Sequence, residues 1–261
     1  MVVYKEIKTD HPINKITRTD NLFKGTYTVD PYQNCEFACK YCDSSFEPTI
    51  YVKKNIVEQL EKKLKTIEKG RIIIGSVHDP YQPIEQKYKL TRKILNLIYD
   101  YGFSCNILTK SDMVLNDIDI ISKIDDCMVT TSIISMNEKI TKIFEPNIMP
   151  STSRFKLVQN LKENYVSAGF GLIPILPYLV EDEFEKIIRN VKDVDADFFI
   201  FKHLELKGDQ KQIFFELIKK FFPDFFEKYS NLYQDSYQPK QEYIDKISKQ
   251  IKLLLEKNKI N

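Results

Sequence analysis

The sequence predicts one α/β domain, a (βα)6 partial barrel of the TIM type with a C-terminal helical extension. Three observations predict it. From residue 26 onward, short β-rich runs alternate with helical segments, the pattern of βα units around a parallel sheet. Six such units lie between residues 26 and 205. That is too few for a closed barrel of eight strands and suits an open one of six. Polar residues also gather at the C-terminal ends of the runs, where barrels of parallel strands carry their function. The chain has 261 residues, 43% of them hydrophobic, enough for one large core. The expected division is an N-terminal arm over 1–25, the core over 26–205 and a helical cover over 206–261.

Residues 1–25 lack periodicity and are expected to form an extended arm. Strands are expected near 26–29, 71–76 (RIIIGS), 103–109 (FSCNILT), 127–133 (CMVTTSI), 169–175 (GFGLIPI) and 197–202 (DFFIFK). Between the first two, Asn55 with Glu58 resembles a capping box and Gly70 suits a helix stop. Leu90 to Tyr101 ends on Gly102 in the same manner. Helices follow from Asn116 or Asp117 to Ile124, from Ser151 to Val166 and from Asp182 to Val191. The tail is expected to form two helices, 209–222 and 239–257. Ile213, Leu217, Ile218 and Phe221 stand at helical spacing in the first. Phe214, Phe215, Phe222, Phe225 and Phe226 add an aromatic surface expected to pack on the barrel.

Composition bounds several classes. A net charge of +2 neither requires nor excludes nucleic acid, and the lysines are interleaved with acids rather than gathered in a basic stripe. No apolar run approaches 18 residues and the first ten residues lack an apolar stretch, so neither a transmembrane helix nor a signal peptide is expected. Five cysteines, odd in number and mostly clustered, make no disulfide framework and suit a reducing cytoplasm.

The chemistry concentrates in Thr28 to Asp43, TVDPYQNCEFACKYCD, where Cys35, Cys39 and Cys42 are spaced C-x3-C-x2-C. Ordinary iron–sulfur clusters take four cysteines. Three thiolates on one short loop hold three corners of such a cube and leave one iron open to a ligand. The rival is structural zinc, which takes four ligands and would need His78 or Cys105 as the fourth. That rival would make the protein a non-catalytic zinc or nucleic-acid-binding module. Metal content separates the two readings.

Further polar segments end the later strands: GSVHDPYQP (75–83), TKS (109–111), TTS (130–132) followed by EPNIMPSTSR (145–154), PILP (174–177), and Lys202 with His203. The series DPYxxC-x3-C-x-Y-C, DPYQP-x-E, LTR, ILTKS, EPNIMPSTSR and PILP resembles the radical S-adenosylmethionine (SAM) enzymes, in particular the subgroup containing spore photoproduct lyase. The resemblance spans about residues 28–205. It implies a [4Fe-4S] cluster on Cys35, Cys39 and Cys42 and SAM on the open iron. Reductive cleavage of SAM to a 5′-deoxyadenosyl radical would then begin hydrogen abstraction. It also implies SAM contacts: Tyr41 near the adenine, Lys110 on the carboxylate or ribose, Ser132 on the same ligand, and the backbone of Leu172 and Ile173 along the adenine. His78 would accept from the SAM amino group. Arg154 would either bind the carboxylate through its planar fork or pair with Glu145. An electron donor such as flavodoxin or ferredoxin is implied as a partner. The substrate, whether nucleic acid, peptide or small molecule, is not specified by these motifs.

Three positions depart from spore photoproduct lyase. His78 precedes Asp79 where a small hydroxyl residue is expected. Asp43 follows Cys42 in place of an aromatic residue used in radical transfer. Ser76 stands where that enzyme carries a hydrogen-donor cysteine. Cys105 and Cys127 fall near the starts of their strands and are expected to be structural. Asp79 is expected to hold its loop or touch the ligand, and Glu85 to cap the helix after Pro83.

Overall fold

A computed structural model describes residues 2–43 and 47–260. The fold is mixed α/β with a mostly parallel sheet. That sheet has seven strands in the order β10-β9-β8-β7-β6-β3-β2: β2 (Asn14–Lys15), β3 (Tyr27–Val29), β6 (Arg71–Ile74), β7 (Ser104–Thr109), β8 (Cys127–Ile133), β9 (Ser167–Ile175) and β10 (Phe199–His203). Every pairing from β3 to β10 is parallel, and only β2 runs antiparallel, at the edge. Each parallel strand lies beside the one before it in the series. This is the order that short right-handed crossovers produce.

Helices cover the sheet, so its strands read as apolar runs rather than alternations. The β6 residues Ile72, Ile73 and Ile74 are all buried. The crossover helix α3 (Leu90–Asp100) buries Leu90, Ile94, Leu95 and Ile98, one face at helical spacing. Its end is set by Gly102, whose φ of +60° a β-carbon would strain. Its start is capped by Glu85, whose carboxylate accepts from Leu90 N (3.0 Å) and Thr91 N (2.9 Å). Helix α7 (Phe184–Asp193) buries Phe184, Ile187, Ile188 and Val191 in the same way. One buried polar pair bridges neighbouring strands: Thr130 Oγ1 on β8 donates to Asn106 Oδ1 on β7 at 2.9 Å.

The N-terminal region differs from the expected extended arm. Val3–Ile7 forms β1, parallel to β5 (Thr49–Lys53), and β4 (Tyr32–Gln33) pairs with the other edge of β5, giving a separate three-stranded sheet. Four of the five β1 residues are exposed, so no apolar alternation marks it in the sequence. Asn55 does precede α1 (Ile56–Leu64), but its side chain makes no cap. Its amide instead clamps the N-terminal region, accepting from Thr9 N at 2.8 Å and donating to Thr9 O at 3.0 Å. Helix α1 stops at Leu64, well before Gly70. Expected helix 116–124 divides into a 3-10 turn, Asp112–Asp117, and the short α4 (Ile118–Ile121).

The tail holds three helices where two were expected: α8 (Asp209–Phe221), α9 (Phe226–Leu232) and α10 (Gln241–Asn258). Pro223 ends the first, since it cannot continue the helical hydrogen bonding. The aromatic residues pack inward. Phe214 stacks on Phe144 of α5 (Glu138–Phe144), with centroids 5.2 Å apart, and Phe222 stacks on the same ring at 6.1 Å. Tyr229 is buried and donates to Pro177 O at 2.6 Å, tying α9 to the end of β9. Among the described residues no helix is long and apolar enough to cross a membrane.

Candidate functional site

A cavity of about 340 Å³ opens at the C-terminal ends of the parallel strands. Cys35, Cys39 and Cys42 all line it, with Phe37 and Tyr41 from the same loop. Gly75 makes room at the end of β6. Its φ is +87°, and a β-carbon there would come within 2.5 Å of both Leu108 O and a Pro80 ring carbon. The chain can therefore turn sharply into the 76–83 segment, which brings Ser76, Val77 and Asp79 to the wall.

The cysteine loop is held from two sides. Two residues in it have positive φ, Asn34 and Ala38, and short turns close it through Ala38 N to Cys35 O (3.3 Å) and Cys42 N to Cys39 O (3.1 Å). On one side Gln82 takes Glu36 N at 3.0 Å and gives a hydrogen bond to Asn34 O at 3.1 Å. On the other, Lys40 N donates to Phe144 O at 2.8 Å and Asn147 donates to Glu36 O at 3.2 Å. The loop's shape is thus imposed by segments more than forty residues away in sequence.

Beneath the loop lies a buried polar chain. Tyr41 donates to Glu145, and Glu145 pairs with Arg154, the last two fully removed from solvent. Arg154 also donates to Ser132 O at 2.8 Å and Met149 O at 3.0 Å. Of the two readings of Arg154, the structure has the ion pair. The guanidinium supports the cysteine loop from below and does not line the cavity.

Lys110 follows β7 directly and reaches the cavity wall, half-buried. Its backbone N–H donates to Asp79 Oδ2 at 2.8 Å, and Thr109 donates to Asp79 Oδ1 at 2.7 Å. Asp79 therefore binds its own loop to the end of β7. Burial raises its carboxyl above the usual range, partly offset by Lys110. For Lys110, burial works against the charge. Cys39 in its thiolate form, Glu145 and Asp79 outweigh it and hold the ammonium pKa above its ordinary value. Burial pushes the Cys35 thiol up to about 12, with Asp79 adding to it, and raises Cys39 as well. Both are thiols until a metal displaces their protons.

Four residues expected near SAM have side chains that do not line the cavity. Ser132 spends its hydroxyl on Ile173 O at 3.0 Å and does not line the cavity. Leu172 and Ile173 point to opposite faces of β9, so Ile173 meets the cavity while Leu172 is buried in the core. His78 stands off the wall, its backbone N–H on Asp30 Oδ1 at 3.4 Å and its Nδ1 buried without a partner. Arg154 is the fourth, occupied as described.

The far wall includes Lys202 and His203, which the sequence placed at the end of the last strand, and three residues that motif reading missed. Lys202 and His203 end β10, where the register slips by one residue between Phe201 and His203. Glu205 and Lys207 follow on an irregular segment without periodicity to mark it, and Gln210 stands in the first turn of α8. Glu205 sits between Lys207 (2.8 Å) and Lys202 (3.3 Å). Burial opposes its charge, but these lysines hold the carboxyl below its ordinary value. His203 Nε2 meets Ser248 Oγ of α10 at 3.0 Å, and its Nδ1 is buried without a partner.

Three thiols share one wall, with a cation beside them, a donor set that an iron–sulfur cluster could take.

A family model described as the Radical SAM superfamily matches residues 29–191. An uncharacterised protein of Methanocaldococcus jannaschii is 32% identical over 236 residues, covering 87% of this chain and 86% of its own. One from Mycobacterium tuberculosis is 21% identical, covering 89% and 74%. Among solved structures, a spore photoproduct lyase variant with bound AdoMet and dinucleoside spore photoproduct aligns with a TM-score of 0.71 at 15% identity, over 98% of this chain and 79% of that one. SuiB of Streptococcus suis bound to S-adenosylmethionine aligns with a TM-score of 0.54 at 12% identity, over 76% of this chain and 47% of that one.

Proposed function

Because the chain belongs to the radical SAM superfamily and is an enzyme of that class, we propose that Cys35, Cys39 and Cys42 hold a [4Fe-4S] cluster whose open iron takes SAM in this cavity. The observation that carries this reading is the meeting of the three thiols on one cavity wall at the C-terminal ends of parallel strands. We read the six parallel strands as a partial (βα)6 barrel and residues 206–261 as the cover over its mouth.

When bound, the cluster supplies the electron that cleaves SAM to a 5′-deoxyadenosyl radical for hydrogen abstraction from a substrate. The chain's own residues bind, orient and shield. Lys110 presents a charged ammonium to the SAM carboxylate or ribose. Tyr41, its hydroxyl fixed on Glu145, keeps its ring against the ligand. The Ile173 backbone lines the adenine. Ser132 acts through the Ile173 carbonyl that it holds, and Arg154 acts through Glu145. Phe37, Pro174 and Leu204 keep the wall apolar and water out.

A low-potential donor such as flavodoxin or ferredoxin would deliver the electron. Nucleic acid is the first substrate class to assay, since a solved relative in fold holds a dinucleoside photoproduct.

The test is anaerobic reconstitution with iron and sulfide. Brown protein with about four irons per chain, releasing 5′-deoxyadenosine from SAM with dithionite, is expected. Cys35→Ala, Cys39→Ala and Cys42→Ala should each lose the broad visible absorption, because three thiolates leave no spare ligand. Colourless protein carrying zinc would overturn the reading.

A further inference from the structure

Two cysteines remain unused by this chemistry. Cys105 on β7 and Cys127 on β8 are facing register partners on adjacent parallel strands. Register partners in a parallel pair point to the same face, and here the two sulfurs lie 2.8 Å apart, in direct contact. Both are free thiols and both are buried, with Cys105 fully enclosed and Cys127 at 7% exposure. They are far from the cluster loop: Cys105 precedes Thr109 by four residues of extended strand, about 13 Å. They can neither ligate the proposed cluster nor deliver a hydrogen atom into the cavity.

We propose that Cys105 and Cys127 form a redox-active dithiol, a modification site at the closed end of the sheet that becomes a disulfide by exchange with a small-molecule disulfide. Two features of the fold carry this. Adjacent strands are about 4.8 Å apart, within the Cα separation that disulfides span, and the two sulfurs already touch. A cleft also opens beside the pair, its walls formed by the neighbours of the two cysteines and not by the cysteines themselves. This surface cleft of about 270 Å³ is lined by Gly102, Phe103 and Ser104 on one side and Asp125 and Asp126 on the other, the residues leading into the two cysteines.

The exposure difference orders the steps. Cys127, the more accessible thiol, loses its proton and attacks one sulfur of the small disulfide, forming a mixed disulfide and releasing one small thiol. Cys105 then loses its proton and attacks Cys127 Sγ. The protein disulfide forms and the second small thiol leaves. The two cysteines are oxidised by two electrons and one small disulfide is reduced to two thiols. The contact with Cys127, then burial, hold the Cys105 thiol well above its ordinary pKa. Cys105 is therefore the resolving partner rather than the first to react.

The experiment uses the anaerobically reconstituted holoprotein and oxidised glutathione as the probe. After acid quenching, alkylation under denaturing conditions and digestion, wild type should yield one peptide pair joined through Cys105 and Cys127. Two thiols per chain should be lost, and dithiothreitol should restore both. In Cys105→Ser the reaction should stop at a glutathione adduct on Cys127. In Cys127→Ser neither adduct nor joined pair should form. Recovery of both cysteines alkylated in wild type, a lasting adduct on Cys127 in wild type, or a bond from either cysteine to the cluster loop would each overturn the proposal. If a serine variant fails to fold, the wild-type peptide map decides alone. Iron content read on the same samples separates failure of this site from failure of the cluster.

Discussion

Lys110 and His203 line the same cavity, and their surroundings give them opposite tendencies. Lys110 keeps its charge because Cys39 in its thiolate form, Glu145 and Asp79 outweigh its burial. Lys110→Ala should leave the cluster intact and weaken SAM binding. A lost charged hydrogen bond is worth about 1.5–3 kcal/mol, or about 10- to 150-fold in Kd. Equilibrium dialysis with labelled SAM on reconstituted protein checks this, and an unchanged Kd would remove Lys110 from the binding site. His203 has no carboxylate partner, and burial lowers its pKa from the usual 6.5. Its folded-state pKa is below the unfolded value, so the unfolded chain takes up the proton first as pH falls. The stability contributed is complete above about pH 6.5 and is lost as pH drops through the folded pKa. Urea midpoints measured from pH 7.5 to 5 should fall in wild type, and His203→Asn should flatten part of that fall. Identical slopes would place the acid sensitivity elsewhere.

At the scale of elements, the cysteine loop depends on helix ends that are distant in sequence. Glu145 ends α5 and Arg154 lies in the first turns of α6 (Ser151–Glu163), and their ion pair joins both to Tyr41 of the loop. A buried pair of this kind adds little net stability over an apolar replacement of both partners, but removing one partner strands the other charge. Arg154→Leu should therefore cost about 3–5 kcal/mol by chemical denaturation. The same variant should retain less iron after desalting, because the loop loses its support. Full stability with full iron would show that the pair is not what positions the loop. The tail is tied in more gradually, through Phe214 and Phe222 on Phe144 and through Tyr229 on Pro177. Helix α9 was missed in the sequence because its seven residues follow a Pro-punctuated aromatic run that reads as one surface.

At the scale of the whole molecule, likeness in fold to spore photoproduct lyase does not carry over its repair reaction. Repair needs a hydrogen atom returned quickly to a thymine radical, and an S–H bond is weak enough to give it. Ser76 stands on the cavity wall instead, with its hydroxyl on Asp30 Oδ2 at 3.2 Å, and an O–H bond is too strong for that role. Asp43 takes the place of the aromatic relay, and Cys105 and Cys127 are at the opposite end of their strands. The enzyme should cleave SAM without efficient repair of a dinucleotide spore photoproduct. Chromatography of thymine release under anaerobic dithionite checks this, and clean multiple turnover would refute it.

Local spacing determined the class of this protein. Three cysteines within eight residues, six β-rich runs with helices between them, and the Glu85 and Gly102 helix ends are all properties of short windows, and short windows are set by steric and capping preferences of neighbouring residues. Strand order followed as well, because each βα unit packs beside the last. Tertiary structure alone decided which polar groups reach the cavity. Arg154 was claimed by Glu145 and Ser132 by the Ile173 carbonyl. It alone paired Val3–Ile7 with Thr49–Lys53 and brought Cys105 against Cys127. A side chain's partner in such cases depends on competition among groups far apart in the chain, and buried polar groups take whichever partner the packed fold brings within reach.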